Sequence, residues 1–245
     1  MQVNPKTVKK QFEKNMDKYD SNAFVQIELA QKLITALSAC RSDFDSILEQ
    51  GCGTGILSRL IKEKICYRQY FANDIVEKSK NYLDKILPEY TFICGNAQKI
   101  KPPVKVDLII SNAMFQWFTS LENSLEHFKG ILEKNGLLAF TTFTPENFCE
   151  IRRITGLSLD YKSKADITAA LEKDYQILHI EEYRKVLNFN NPLELLAHMK
   201  NTGVNSLAAK GLTFKEVKDF CDKYLELYPD VRLTYAPIIV IAGLK

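Results

Sequence analysis

The stretch ILEQGCGTG, residues 47–55, decides the fold of this chain. It joins a short apolar run to an acidic residue and three alternating glycines, and apolar residues at helical spacing follow it. A strand, a glycine turn and a helix in that order form a unit that cradles nucleotides. Because glycine has no Cβ, a ligand can approach the backbone N–H groups that point out of the helix N-terminus. The stretch therefore predicts a nucleotide-like ligand at this turn.

The spacing of the glycines argues against a dinucleotide. A dinucleotide fingerprint reads G-x-G-x-x-G, but Ile56 stands where its last glycine would be. The pattern E-x-G-x-G-x-G suits a ligand that has no pyrophosphate and that ends in a zwitterionic amino acid. S-adenosylmethionine fits that description, with the turn amides taking its carboxylate and Glu49 attracting its ammonium, directly or through water. A tight strand–helix turn without a ligand is the alternative interpretation.

Polar residues follow the later predicted strands, at the sheet edge where open α/β sheets bind ligands. Asp74 lies about twenty residues past the glycines, where a carboxylate accepts both ribose hydroxyls of an adenosine. Asn96 follows the third strand, and its side-chain carbonyl would accept from the adenine amino group unless it serves only as a turn residue. Asn112 and Met114 end the fourth strand and would face the methionine part of the ligand.

The rest of the chain alternates predicted strands with predicted helices. Two helices are predicted within residues 5–37. Strands are predicted at 47–50, 70–73, 91–94, 106–111, 137–142, 175–189 and 233–242, and further helices at 56–65, 78–86, 121–132, 193–202 and 214–227. This alternation predicts an α/β, Rossmann-like fold whose mostly parallel seven-stranded sheet has helices on both faces.

Residues 145–173 interrupt that alternation with two short helical patterns, which predict a helical lid inserted after the fifth strand. We therefore expect one domain over residues 1–245. Its predicted parts are an N-terminal helical cap (1–38), a cofactor-binding core (40–144), the lid (145–173) and C-terminal strands and helices (174–245).

Composition limits the classes of function. The 245 residues are 46% hydrophobic, and 33 basic against 30 acidic residues give a net charge of +3, too balanced to indicate nucleic-acid binding. The sequence shows neither a secretory signal pattern nor an apolar run long enough to span a bilayer, so we expect a cytoplasmic protein. Its six cysteines and three histidines share no ligand spacing, which predicts reduced thiols and no metal. We also expect a monomer.

Three stretches outside the glycine turn resemble those of a known family: FEKNMDKYDSNAFVQ (12–26), SNAMFQW (111–117) and HMKNTGVNS (198–206). The chain resembles class I S-adenosylmethionine-dependent methyltransferases over about residues 40–145. More narrowly, it is similar to the malonyl-[acyl-carrier-protein] O-methyltransferases of biotin synthesis. The resemblance implies S-adenosylmethionine as cofactor, S-adenosylhomocysteine as product, and a malonyl group on acyl carrier protein or coenzyme A as acceptor. Asn96 departs from this superfamily, which more usually has a carboxylate there.

A carboxylate acceptor is already ionised and needs no general base. Positioning and the exclusion of water would then supply the catalysis, and Tyr19 and Trp117 are the predicted positioning residues. Core packing is the alternative role for both. The predicted cofactor contacts are Tyr19, Glu49, Gly51, Cys52, Gly53, Gly55, Asp74, Ile75, Asn96, Ala97, Asn112 and Met114.

The acceptor carboxylate calls for a cationic partner. Arginine pairs with a carboxylate through two bonds, so we predict Arg152 as the anchor, with Arg153 beside it. His198 and Lys200 lie in a family-like stretch and would also approach the substrate. A surface role for the arginines and a structural role for the histidine are the alternatives.

Other functions stay open at the level of sequence. One is methylation of another carboxylic acid or small molecule, and another is cofactor binding without turnover. RNA methylation is disfavoured by the balanced charge and by Asn112-Ala113-Met114 in place of an Asn-Pro-Pro-Tyr type of motif. The lysine stripe of Lys6, Lys10, Lys14 and Lys18 is either a solvated helix face or a docking surface for an acidic carrier protein.

Overall fold

The structure, a computed structural model, describes residues 5–202 and 213–245. Its strands are β1 (Asp43–Gln50), β2 (Cys66–Asp74), β3 (Thr91–Cys94), β4 (Val106–Ser111), β5 (Leu132–Phe143), β6 (Tyr175–Glu182), β7 (Lys185–Asn188), β8 (Arg232–Tyr235) and β9 (Pro237–Leu244). Its helices are α1 (Pro5–Tyr19), α2 (Phe24–Cys40), α3 (Ile56–Lys64), α4 (Ser79–Leu83), α5 (Leu121–Ile131), α6 (Cys149–Thr155), α7 (Lys164–Leu171), α8 (Pro192–Asn201) and α9 (Phe214–Leu227), with a 3₁₀ turn at Phe115–Trp117.

Seven strands form one sheet in the order β3-β2-β1-β4-β5-β9-β6. Neighbours among β1 to β5 pair in parallel, whereas β9 runs antiparallel to both β5 and β6. The strand order reverses direction at β1 and β4, which is where open α/β sheets bind ligands at the carboxyl ends of their strands. The predicted mostly parallel, seven-stranded, Rossmann-like sheet is confirmed.

Both faces of the sheet are covered, as the near-continuous apolar strands require. On β4, Leu108 and Ile110 pack into the same apolar cluster as α2 and α3, while Ile109 between them packs with α5 and α7 on the opposite face. All three side chains are fully buried. Each such residue contributes roughly 1.5–3 kcal/mol of transfer free energy, so the two layers of helices fix the sheet and its carboxyl edge.

The predicted lid is only partly correct. Its second helix, α7, begins with a capping box between Ser163 and Asp166 and packs against α5 and β6, with Ile167 and Leu171 buried on the sheet face. It therefore covers the sheet and not the strand ends. The first helix, α6, packs against β8 and α9. The helical pattern showed that these helices exist, but the pattern carries no information about which surface they bury.

The C-terminal strands are shorter than predicted. The predicted strand 175–189 is two strands, β6 and β7, and the predicted strand 233–242 is β8 and β9. β7 and β8 pair with each other in a separate two-stranded sheet. At the break between β8 and β9 the backbone N–H of Ala236 donates to Asn147 Oδ1 and its carbonyl accepts from Thr144 N. The loop after β5 thus satisfies the backbone at this break.

Two further observations concern the described residues only. None of their helices combines the length and the apolar character that crossing a membrane would need. No group of three or more His, Cys, Asp or Glu side chains among them is placed to hold a metal ion. Residues 203–206 of the family-like stretch 198–206 and the side chain of Lys6 lie outside the description.

Candidate cofactor and acceptor site

A cavity open to solvent lies at the carboxyl ends of the parallel strands, and the space in it and in its mouth amounts to about 1420 Å³. Helix α1 forms one wall through Val8, Lys9 and Phe12. Predicted site residues that line the cavity are Tyr19, Glu49, Gly51, Cys52, Gly53, Asp74, Ile75, Asn96, Ala97, Asn112, Met114 and Trp117. The predicted cofactor contacts are therefore together on one surface, with the exception of Gly55.

The glycine turn has two different structural reasons for its glycines. Gly53 has φ +54°, and a Cβ there would lie 3.1 Å from Phe12 Cζ on the cavity wall. Gly55 has φ +81° and precedes α3, where a Cβ would collide with Ile86 Cδ1. Gly55 thus allows α3 to pack closely on the chain after β2 and does not line the cavity. Its predicted contact with a ligand does not match this position.

The amides of the turn are largely used inside the protein. Gly51 N and Cys52 N both donate to Asn73 O, at 2.8 and 3.0 Å, and Gly55 N donates to Cys52 O at 2.8 Å. Gly53 N donates to Asp74 Oδ2 at 2.8 Å. The expectation that these amides take a ligand carboxylate therefore does not match the hydrogen bonds of this structure.

Asp74 joins the ends of β1 and β2. Its carboxylate accepts from Gly53 N and, at 2.8 Å, from Val76 N, so each oxygen has one backbone donor. The side chain is buried, and burial raises the pKa of this carboxyl against the opposing effect of those hydrogen bonds. A carboxylate offers about four lone-pair sites. Asp74 can thus accept two further donors from the cavity while it holds the turn.

Glu49, at the end of β1, is a buried carboxyl with one unused oxygen. Its Oε2 accepts from Ser58 Oγ at 2.6 Å and from the hydroxyl of Tyr70, whereas Oε1 has no hydrogen-bond partner. Burial raises the pKa of this carboxyl to about 7. Gln26 Oε1 is a second buried acceptor without a partner, and both residues line the cavity. Two unpaired acceptors at one cavity fit an ammonium group.

Asn96 and Asn112 are tied to the protein through their side chains. Asn96 Oδ1 accepts from Gln98 N at 3.0 Å. This bond is typical of a turn residue, which was the alternative role for Asn96, and it occupies the oxygen expected to accept from the adenine amino group. Asn112 Nδ2 donates to Gln26 O at 2.9 Å and its Oδ1 accepts from Thr141 Oγ1 at 2.7 Å. Asn112 therefore connects α2 to the ends of β4 and β5, and it fixes the segment that carries the Gln26 acceptor.

The predicted substrate-binding residues lie outside the cavity lining. Arg152 donates to Pro145 O and lies 3.9 Å from Glu146 Oε1, so its guanidinium holds the loop after β5. Arg153 and Lys200 are exposed, and His198 is buried behind Tyr235 with its Nε2 2.7 Å from the tyrosine hydroxyl. A residue that follows a strand lies near the carboxyl edge of the sheet, but its place in the sequence does not determine where its side chain points.

The sequence analysis missed a group of cavity residues at the end of the fifth strand and beyond it. These are Phe143, Asn147, Phe148, Leu159, Tyr161, Thr202 and Tyr235. Tyr235 packs edge-on against Phe148 with ring centroids 4.8 Å apart. Asn147 comes just after β5, so the rule that sites gather at strand ends would have pointed to it. Tyr161 and Tyr235 carry no such signal, because Tyr161 reaches the cavity from a loop and Tyr235 from the end of β8, which lies outside the parallel sheet.

Comparison with known proteins agrees with this geometry. A family model described as a methyltransferase domain matches residues 19–208. The fold is similar to that of a putative methyltransferase from Bacillus halodurans (TM-score 0.64, 11% identity, 87% of this chain and 98% of that one). It is also similar to the N-methyltransferase NodS of Bradyrhizobium japonicum in complex with S-adenosyl-L-homocysteine (TM-score 0.61, 10% identity, 97% and 98%). The fold and the domain define a class I S-adenosylmethionine-dependent methyltransferase.

Two curated relatives narrow that class. The malonyl-[acyl-carrier protein] O-methyltransferase of Haemophilus influenzae is 34% identical over 250 residues, covering 98% of this chain and 95% of the relative. The protein of the same name from Bacteroides thetaiotaomicron is 33% identical over 259 residues and 99% of each chain. The chain belongs to the family of the malonyl-[acyl-carrier protein] O-methyltransferases.

Proposed function

We propose that this chain transfers a methyl group from S-adenosylmethionine to the free carboxylate of a malonyl thioester on acyl carrier protein. The product is the malonyl methyl ester with which biotin synthesis starts. The observation that carries the proposal is the similarity to relatives of that name over nearly the whole of both chains. The cavity supports it, because its acceptors suit an adenosine ribose at one point and an ammonium at another.

Three side chains would hold the cofactor. Asp74 would accept the ribose hydroxyls with the lone pairs that Gly53 N and Val76 N leave free. Glu49 Oε1 and Gln26 Oε1, both unpaired and buried, would accept the ammonium. A buried acceptor without a donor costs about 1–3 kcal/mol of folding free energy. An ammonium that donates to both Glu49 Oε1 and Gln26 Oε1 would remove this cost at each of them.

The bound cofactor supplies an electrophilic methyl group on a sulfonium. The residues of this chain bind both reactants, align them and keep water away. A carboxylate acceptor needs no proton removed. Phe143, Phe148, Leu159 and Trp117 line the same cavity and would help to exclude water from it. Opposite charges are neutralised as the methyl group moves, so a site from which water is excluded favours the reaction.

The carrier protein would meet an exposed basic face. Lys10, Lys14 and Lys18 are exposed on α1, spaced by four residues, while Phe12 and Tyr19 of the same helix line the cavity. A carrier that is acidic would approach this face faster at low ionic strength. Malonyl-coenzyme A is the alternative acceptor, and it would not need the lysine face to the same degree.

Mass spectrometry of the acceptor tests the proposal. Malonyl-carrier protein incubated with the enzyme and S-adenosylmethionine should gain the mass of one methyl group on the malonyl unit. Malonyl-coenzyme A run in parallel measures the preference between carriers. A chain that binds S-adenosylmethionine in calorimetry but methylates neither thioester would contradict the proposed acceptor, and a chain that does not bind the cofactor would contradict the whole proposal.

A further inference from the structure

The acceptor end of the cavity contains a cluster of neutral hydrogen-bonding groups, which we name the tyrosine cluster: Asn147, Tyr161 and Tyr235. Asn147 Nδ2 donates to the hydroxyl oxygen of Tyr161 at 2.9 Å, and Asn147 Oδ1 accepts from Ala236 N at 3.2 Å. Asn147 is buried, so both ends of its amide are fixed. Tyr235 lines the same cavity and packs edge-on against Phe148, the residue that follows Asn147.

The direction of one hydrogen bond determines what Tyr161 can do. An amide N–H only donates, so the Tyr161 oxygen is the acceptor in its bond with Asn147. The phenol proton is not used in that bond and stays available as a donor. Tyr235 pairs through its hydroxyl with His198, whose pKa is lowered by burial, so the histidine adds no positive charge. The cluster therefore presents hydroxyl groups without a cation.

Cations are scarce around this cavity. Among the described residues that line it, Lys9 is the one lysine and no arginine is present. Lys9 opposes the rise in the pKa of the Cys94 thiol at the end of β3, which is an edge strand separated from β5 by β2, β1 and β4, whereas Asn147 follows β5. Arg152, the anchor expected from sequence, is held by Pro145 and Glu146. A carboxylate at the acceptor end would thus meet hydroxyl donors.

We propose that Tyr161, held in place by Asn147, binds the carboxylate of the methyl acceptor as a neutral hydrogen-bond donor. Tyr235 is a second donor in the tautomer in which His198 Nε2–H donates to the Tyr235 oxygen, because the phenol proton is then free. This inference rests on the proposed function and names the recognition group for its acceptor. One carboxylate oxygen accepts from the phenol, and the other stays free to attack the methyl group.

Neutral donors suit this reaction better than an arginine. The acceptor loses its negative charge as the ester forms, so an ion pair would be strongest in the reactant complex and weaker in the transition state. Interactions that stabilise the bound reactant more than the transition state lower the KM without raising kcat. A phenol orients the carboxylate, and its hydrogen bond weakens less than an ion pair would as the negative charge disappears. Phe143, Phe148 and Leu159, which line the same cavity, shield the carboxylate from water.

The main test is Tyr161→Phe, which removes the hydroxyl and keeps the ring. We expect the KM for malonyl-carrier protein to rise about tenfold or more, while the Kd for S-adenosylmethionine stays within about twofold. Tyr90→Phe is the matched control, because that hydroxyl bonds to Asp84 and neither residue lines the cavity. A KM for Tyr161→Phe within twofold of wild type would overturn the inference.

A second readout separates recognition from packing. Butyryl-carrier protein lacks the carboxylate and should inhibit wild type and Tyr161→Phe equally. An equal loss of malonyl and butyryl binding would mean a purely structural role and would overturn the inference. Asn147→Asp keeps the acceptor for Ala236 N but would accept the phenol proton, so it should also weaken malonyl binding and spare butyryl binding.

The proposed function can fail separately. If the wild-type enzyme forms no ester from malonyl-carrier protein, both claims fall. If it forms the ester and Arg152→Ala raises the KM tenfold while Tyr161→Phe does not, only the tyrosine anchor is wrong and the arginine takes its place.

Discussion

The two ends of the cavity are built in different ways. The proposed cofactor end consists of residues at the ends of neighbouring strands, with Glu49, Asp74 and Asn112 placed by the sheet itself. The proposed acceptor end combines Asn147, Tyr161 and Tyr235, which come from a loop after β5, a second loop and the last residue of β8. The first end follows from backbone topology, whereas the second depends on side-chain directions. Changes at one end should therefore leave the other end nearly intact.

The largest expected effect is at Asp74. Asp74→Ala would remove the predicted ribose acceptor and leave Gly53 N and Val76 N without theirs. Hydrogen bonds to a charged group contribute about 1.5–3 kcal/mol each, so we expect the Kd for S-adenosylmethionine to rise at least about 100-fold in calorimetry. Asp222→Ala, which removes an exposed carboxylate on α9, is the control. An unchanged Kd for Asp74→Ala would show that the cofactor lies elsewhere.

Glu49 should make the enzyme without ligand less stable as pH rises. Its folded-state pKa of about 7 lies above the ordinary value of 4.5, chiefly because of burial. Below pH 4.5 the carboxyl is neutral in both states; between pH 4.5 and 7 the unfolded chain releases the proton first, and stability falls by about 3 kcal/mol. Denaturant titrations of wild type and Glu49→Gln should diverge over that range. Parallel curves would contradict a buried, raised carboxyl.

The Glu49 carboxyl should also make binding of S-adenosylmethionine depend on pH. Four other titratable side chains act on Glu49 or respond to it: Cys52 from the turn and Tyr67, Tyr70 and Asp74 from β2. None of the four is cationic, so an arriving ammonium would add a positive charge to a set of described groups that has none. We expect binding of S-adenosylmethionine near pH 6.5 to release part of a proton, measured by calorimetry in buffers of different ionisation enthalpy. Glu49→Gln should abolish that release.

Gly53 should show a smaller effect, confined to the cofactor end. An alanine there would adopt φ +54° and approach the Phe12 ring, at a cost of about 1–2 kcal/mol. We expect a roughly tenfold weaker Kd for S-adenosylmethionine and an unchanged KM for the acceptor. Gly130→Ala is the matched control, because a Cβ at Gly130 in α5 meets nothing within 4 Å. Equal effects of the two changes would remove any special role for the turn.

The lysine face should give the smallest effect. Replacing Lys10, Lys14 and Lys18 with glutamate should raise the KM for malonyl-carrier protein roughly threefold to tenfold at low salt, and less at high salt. Malonyl-pantetheine, which has no carrier protein, should be used equally well by both forms. A KM for the carrier that does not depend on these charges would leave the stripe as a solvated face.

The sequence predicted the sheet and the cofactor end because both follow from local pattern. Apolar runs ended by Gly51, Asp74 or Asn96 mark the edge at which parallel strands finish. The acceptor end could not be predicted in that way. Arg152 occupies a plausible position in the chain, but its guanidinium turns to Pro145. Tyr161, which replaces it in our proposal, is placed by packing against the apolar core and by its bond to Asn147. Such contacts between distant residues exist only in the folded chain.

One measurement tests most directly the claim that the cavity has two separable ends. Ester formation from malonyl-carrier protein is followed by mass spectrometry for wild type, Asp74→Ala and Tyr161→Phe over a grid of cofactor and acceptor concentrations. The account predicts that excess S-adenosylmethionine rescues Asp74→Ala and excess malonyl-carrier protein rescues Tyr161→Phe, each without help from the other ligand. A wild-type enzyme that forms no ester, or variants rescued by the wrong ligand, would contradict it.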